Sequence, residues 1–290
     1  MTEPIVDRRI ATADPPPTGI PNPIHDGDGA DAAGYAGALV AGVRTYGWAA
    51  QTITRALGDG WLTIGWVDFT LRRPLFAGEE VTITVRRSSS GAGVWDVACA
   101  ASGRGGDRLV LDGTAGIGEA AWLPELDPPE PAPGQDPPPV RPTYDLDTIP
   151  VGEPLRPLRV FVKPDAARRL ATDDLAIEDT RFTRSDRPLV HPYFLAGRMA
   201  PLTRHNFTYG PTIHVRSQIQ HRGEARAGQD ITVGARIVDA YDRNDHWYQV
   251  LDGVVTGSEA DAEHGAELAR IRHHTIFRPR GTTMPAPIRS

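Results

Sequence analysis

Apolar and polar residues alternate with a period of two in several runs of this chain. "EEVTITVRR" places Val81, Ile83 and Val85 on one face, and "QDITVGARIV" repeats the pattern with Ile231, Val233 and Ala235. Such alternation is the pattern of strands with one buried face. In the first half it predicts strands at 61–72, 79–87, 94–102 and 109–118. In the second half it predicts strands at 212–221, 230–240, 247–256 and 267–277. Helical spacing occurs in two places, over 37–56 and over 192–206. Both predicted helices carry small residues, Gly42 and Gly47 in one, Ala196 and Gly197 in the other. Glycine costs about 1 kcal/mol in a helix, so these positions imply close packing against a sheet.

The two halves have the same order of elements, and an offset of 150 residues aligns them. Leu39-Val40 meets Leu189-Val190, Gly47 meets Gly197, Ala50 meets Ala200, and Gly60 meets Gly210. Arg72, Ala77-Gly78, Thr82 and Arg86 meet Arg222, Ala227-Gly228, Thr232 and Arg236. A repeat this long indicates a duplicated domain and not a solenoid. Between the copies lies "LDPPEPAPGQDPPPVRP", too rich in proline for helix or sheet and suited to an extended connector. The expected organisation is a domain at 1–124, a linker at 125–143 and a second domain at 144–290. One helix followed by a four-strand meander is an α+β unit whose sheet must wrap its helix.

Composition narrows the function classes. The 290 residues are 40% hydrophobic and 23% charged, with a formal net charge of −6. That balance gives no reason to expect nucleic acid or an anionic membrane as partner. Cys99 is the one cysteine, so an internal disulfide is impossible and a thiolate metal site is not motivated. No apolar run reaches 18 residues, and the first residues lack an apolar stretch of signal-peptide length. These features point to a cytoplasmic protein. No HExxH, paired CxxC, EF-hand loop or GxSxG is present, so the expectation is chemistry without a metal.

The stretch "GIPNPIHDGDGADAAGYAGALVAG", followed by "VDFTLRRPLFAGEEVTI", resembles the MaoC-like (R)-specific enoyl-CoA hydratase family in its double-hotdog form. "PLVHPYFLAGRM" and "GPTIHVRSQIQHRGEARAGQDITV" look like the partner hotdog. The resemblance implies a tandem hotdog, each half a long central helix wrapped by an antiparallel sheet, the halves forming a pseudo-dimer. It implies reversible hydration or dehydration of an enoyl/3-hydroxyacyl thioester, on CoA or an acyl carrier protein, with no cofactor. A further homodimer is compatible with it.

The family motif is Gly-Asp-x-Asn-Pro-(Leu/Ile)-His, in which Asp and His together activate the water. Here Asn22, Pro23, Ile24 and His25 match, and the Asp position holds Ile20. His25 is then the expected base, since histidine titrates near neutrality. Asn22 belongs to the same loop. Asp26 or Asp28 would replace the missing acid, although Asp-Gly-Asp-Gly is also ordinary turn chemistry. Free N–H groups near Gly42 would polarise the thioester carbonyl at the start of the helix. Tyr46, Arg198 and His191 complete the expected substrate-binding set. His191, directly before Pro192, also suits a helix cap. The loss of Asp at position 20 keeps two alternatives open. One is a hotdog thioesterase or a pathway-specific lyase or cyclase. The other is a non-catalytic protein that binds acyl thioesters.

Overall fold

The computed structural model describes residues 3–14, 22–32, 34–103, 106–208, 210–259 and 265–289. Ile20 lies outside them. Ten strands form one antiparallel sheet. From the first half come β1 (Ile5–Ile10), β2 (Gly65–Leu71), β3 (Glu80–Arg87), β4 (Val94–Ser102) and β5 (Arg108–Ile117). A short strand, β6 (Val140–Arg141), follows. The second half gives β7 (Leu158–Phe161), β8 (Ile213–His221), β9 (Asp230–Arg243), β10 (His246–Ser258) and β11 (Ala266–Arg278). β6 pairs separately with β12 (Ile288–Arg289). The order across the large sheet is β1-β3-β4-β5-β2-β8-β11-β10-β9-β7. The second five strands mirror the first five about the β2–β8 seam.

The same mirror appears in the connections. An isolated bridge joins Leu39 to Phe76, and another joins Leu189 to Arg226, each pair shifted by the 150-residue offset. Each sheet half wraps a helix. In the first half this is α2 (Gly42–Leu57), preceded by α1 (Gly27–Ala32) and followed by the single turn α3 (Trp61–Ile64). The second half contains α4 (Pro164–Arg169), α5 (Thr180–Thr183), α6 (Pro192–Ala196) and α7 (Met199–Asn206). The fold is the tandem hotdog that the sequence resemblance implies.

Three of the differences from the sequence reading have a local cause or change an element's extent by a turn or more. The strand expected from 61 starts at Gly65, because Asp59 and Gly60 lead into the α3 turn, where Ile64 N–H donates to the Gly60 carbonyl at 3.0 Å. The helix expected over 192–206 is split at Gly197 and Arg198. Pro201 is the cause: it has no N–H to offer the Gly197 carbonyl one turn back, and its ring crowds that carbonyl. The helix expected from 37 begins at Gly42. The outer strands β1 and β7 were not anticipated, although "IVDRRI" alternates between half-buried and exposed positions.

α2 is buried on nearly every side, including Arg44, Tyr46, Trp48, Ile53 and Thr52. Its contact with the second half is close. A Cβ on Gly47 would stand 2.9 Å from Leu175 Cδ2 and 3.1 Å from Tyr193 Cβ. A larger residue there would push α2 away from the second half. The proline-rich connector has no helix or strand over 126–138 but is docked on the second half. Asp127 N–H donates to Asp252 Oδ2 at 2.7 Å, and Gln135 N–H donates to the Pro157 carbonyl at 2.9 Å.

Polar groups hold the β2–β8 seam in register. Arg216 on β8 forks onto Asp68 on β2 with bonds of 2.8 and 2.6 Å. Buried Gln220 accepts from Ala120 N–H at 2.9 Å and directs its amide N–H toward the carbonyls of Gly65 and Gly118 at 3.2 and 3.1 Å. Gln220→Leu leaves these backbone groups unpaired inside the seam. We expect it to lower stability by about 2–3 kcal/mol in urea unfolding with the slope unchanged. A loss below about 0.5 kcal/mol would show that Gln220 does not secure the seam.

Candidate active site

A cavity of about 540 Å³ lies between the halves. The first half contributes the Asn22–His25 loop and the start of α2. The second half contributes α6, α7 and the inner ends of β8 and β11. Asn22 ties the loop across the boundary. Its Nδ2 donates to the Thr212 carbonyl at 2.8 Å, and its Oδ1 accepts from Thr212 N–H at 3.2 Å. Ile24 packs with Leu39 and Phe76 beneath the loop, which fixes the neighbouring His25.

The partner of His25 is Asp14. Its Oδ2 lies 3.1 Å from His25 Nδ1, and the Leu39 carbonyl lies 2.8 Å from the same nitrogen. A nitrogen between two acceptors carries the proton, so Nε2 is left as the lone-pair nitrogen. Asn22 Nδ2 is 3.4 Å from that Nε2. Burial opposes a charge on the His25 ring. The Asp14 carboxylate and the Leu39 carbonyl outweigh it and raise the imidazole above its ordinary value of 6.5.

Asp14 is itself held from two sides. Its Oδ2 accepts from Ala41 N–H at 2.8 Å, and its Oδ1 stands 3.5 Å from Arg44 Nη1. Arg44 is 2% exposed. It donates to the Thr12 carbonyl at 3.0 Å, to Thr12 Oγ1 at 2.7 Å and to the Ala13 carbonyl. Its Nε donates to the Asp174 carbonyl of the second half at 2.9 Å. One buried guanidinium therefore fixes the chain on which Asp14 sits.

At the start of α2, the N–H groups of Gly42 and Val43 have no acceptor among the described residues, and both residues line the cavity. Such N–H groups, with the helix dipole behind them, stabilise negative charge. A Cβ at Gly42 would fall 2.1 Å from Leu71 Cδ1, so any side chain there makes Leu71 shift.

The structure brings Asn22, His25 and Gly42 to the cavity and leaves the other expected residues off its lining. Asp26 is exposed and accepts from Gly29 N–H at 2.7 Å, a cap for α1. Asp28 is exposed on α1. Tyr46 is buried and stacks on Phe69 with centroids 4.7 Å apart. His191 caps α6 by accepting from Tyr193 N–H at 3.2 Å, and burial pushes its imidazole down to about 3. Arg198 lies over the Phe194 ring at 4.1 Å and donates to the Phe194 carbonyl at 3.0 Å. Burial pushes it down to about 10. Among the described residues no cluster of three His, Cys, Asp or Glu side chains is placed to hold a metal ion, and no helix is long and apolar enough to cross a membrane.

Sequence reasoning missed Asp14, which stands eleven positions before His25 and not at the motif position. The signal was "ADPPPTGIPNPIH", a carboxylate followed by a proline-rich stretch that leads back to the motif. It also gave His214 and His273 no site role, and both line the cavity.

No protein-family model matches the chain, and no curated sequence resembles it closely enough to count as a relative. Solved structures do resemble it. A conserved Mycobacterium tuberculosis protein with a double hotdog fold aligns at 19% identity over 87% of this chain and 86% of its own, with a TM-score of 0.58. A protein described as a MaoC domain dehydratase from Chloroflexus aurantiacus aligns at 14% identity over 96% and 95%, with a TM-score of 0.61. One described as an oleoyl thioesterase from Lactobacillus plantarum aligns at 10% identity over 98% of each chain, with a TM-score of 0.50.

The Asp14–His25 contact has a direct test. Side-chain NMR should show His25 titrating above 6.5, and Asp14→Asn should bring its titration down, because burial then acts without the carboxylate. The raised folded-state value means that protonation favours folding. This contribution is complete below the unfolded value of about 6.5 and is lost as pH rises through the folded-state value. An unchanged His25 titration in Asp14→Asn would refute the pairing. By these solved-structure likenesses, the chain has the double hotdog fold shared by MaoC-like dehydratases and thioesterases.

Proposed function

We propose that this protein is an enoyl-thioester hydratase/dehydratase in which Asp14 and His25 activate water. One observation carries the reading. The motif histidine has an acid partner on one nitrogen, while its other nitrogen borders a cavity that also holds free helix N–H groups. This is the set of groups that conjugate addition to a thioester needs: a base for the water and donors for developing enolate charge.

In the hydration direction, His25 Nε2 takes a proton from water while the hydroxide oxygen bonds to the β-carbon. The π electrons shift onto the thioester oxygen, where Gly42 and Val43 N–H groups accept the charge. Collapse of the enolate takes the proton back from His25 Nε2 to the α-carbon, which restores the resting histidine. Asp14 keeps Nδ1 protonated and stabilises the transient imidazolium. Dehydration follows the same steps in reverse. Arg73, exposed at the rim with no ion pair among the described residues, suits the phosphates of CoA or of an acyl carrier protein.

The likeness to a thioesterase supports a second reading, in which the same base directs water onto the thioester carbonyl and releases a thiol. Products distinguish the two. Purified protein incubated with trans-2-enoyl-CoA of four to ten carbons should consume enoyl absorbance without releasing free thiol. Its kcat/KM should rise with pH along a limb set by His25, with its midpoint above 6.5. His25→Ala should lower kcat by about 10²–10⁴. Free thiol without loss of the double bond would establish the thioesterase instead. Binding with no turnover would establish a binding protein.

A further inference from the structure

The floor of the cavity carries polar groups that the proposed reaction does not use. His214 on β8 and His273 on β11 flank Ser217. His214 Nε2 is 2.8 Å from Ser217 Oγ, and Ser217 Oγ is 2.9 Å from His273 Nδ1. Ser217 and His273 are opposite each other in the β8–β11 ladder, so the register itself sets this contact. The two rings are 4.3 Å apart. Ser217 is fully buried and His273 is 4% exposed.

Both imidazoles line the cavity. In His273 the Nδ1 is committed to Ser217, and Nε2 has no hydrogen-bond partner among the described residues. His273 is thus a cavity-lining residue more than nine-tenths buried, with Nε2 uncommitted. Leaving such a group unpaired against hydrocarbon costs about 1–3 kcal/mol. A purely alkyl acyl chain would incur that cost on binding, and a chain with its own hydroxyl would not.

The charge state of the cluster restricts the partner further. Burial and the neighbouring histidines drive His273 well below 6.5, and burial drives His214 to about 3, so both rings are neutral. A neutral imidazole bonded to a rotatable hydroxyl presents a donor or an acceptor at Nε2, depending on which way the Ser217 O–H points. A hydroxyl is both donor and acceptor and fits either state. A carboxylate gains no cation here.

The cluster is linked to the reacting loop through β8. Asn22 grips Thr212, His214 follows two residues later, and the chain of contacts crosses from β8 to β11. We propose that His273, positioned by Ser217, recognises a hydroxyl group on the acyl chain beyond C3, so that the substrate is a hydroxylated acyl thioester. The C3 hydroxyl is the one that forms at His25. This inference rests on the thioester reading above, and its test keeps the two apart.

Two measurements together decide it. The first is calorimetric binding of saturated CoA esters, which cannot be hydrated: hexanoyl-, octanoyl- and decanoyl-CoA, each against its ω-hydroxy twin. At one length or more the hydroxy ester should bind about two- to tenfold more tightly. His273→Leu should bring that ratio to about one. Ser217→Ala, a smaller change in the core, should reduce it. The second is ¹⁵N-histidine NMR with 1-hexanol, which should shift the His273 Nε2 resonance.

Thioester binding without a hydroxyl preference at any length, or with a preference that His273→Leu does not alter, overturns this proposal and leaves the thioester reading intact. A hexanol shift at His273 with no binding of any CoA ester supports the hydroxyl subsite and removes the thioester reading. Absence of both effects overturns the subsite.

Discussion

The arrangement depends on one buried cation. Arg44 is almost wholly buried, so each of its N–H groups must find an acceptor inside the protein. It finds them on Thr12, Ala13 and Asp14 from the start of the chain and on the Asp174 carbonyl from the second half. The chain before the motif is thereby fastened to the central helix of the first hotdog. Asp14 arrives against His25 as a consequence. The guanidinium also lies over the Trp48 ring at 5.4 Å, which adds a cation–π contact on the same helix. An acid positioned by a buried arginine need not come from the seven-residue motif.

Duplication supplies the rest, and the residues of the proposed site occur in one copy only among the described residues. The two halves repeat each other's bridges and strand order, and they join at the β2–β8 edge so that neither inner edge is left unpaired. Their loops have diverged. At the 150-residue offset, Leu175 stands where His25 would be repeated and Pro164 where Asp14 would be. Leu175 is fully buried, beside Gly47 of α2. The second copy has turned its loop into packing for the first helix, while its sheet brings His214 and His273 to the cavity.

Much of this was legible in the sequence. Period-two runs mark the eight long strands, and the offset of 150 reflects the duplication. The Asn22–His25 loop and Gly42 were legible because a motif reports local geometry. Pro201 was legible too, but the helical spacing runs on through it. Asp14 was hidden because its role arises from three-dimensional contacts through Arg44, and the proline-rich residues 15–21 separate it from the motif loop. His273 was hidden for a related reason. Alternation shows that one of His273 and His274 faces inward, but only the β8–β11 register puts it opposite Ser217. Asp26 and Asp28 stand close to His25 in sequence, yet their turn leaves them exposed to solvent.

The central claim is that Asp14 acts through His25 as a unit. A double-mutant cycle on enoyl-CoA hydration, with Asp14→Asn, His25→Gln and the pair, addresses it directly. The account predicts strong non-additivity: once His25 is gone, removing the Asp14 charge costs almost nothing further in kcat/KM. Losses that multiply would contradict it, because two residues that act independently cannot be one acid–base pair.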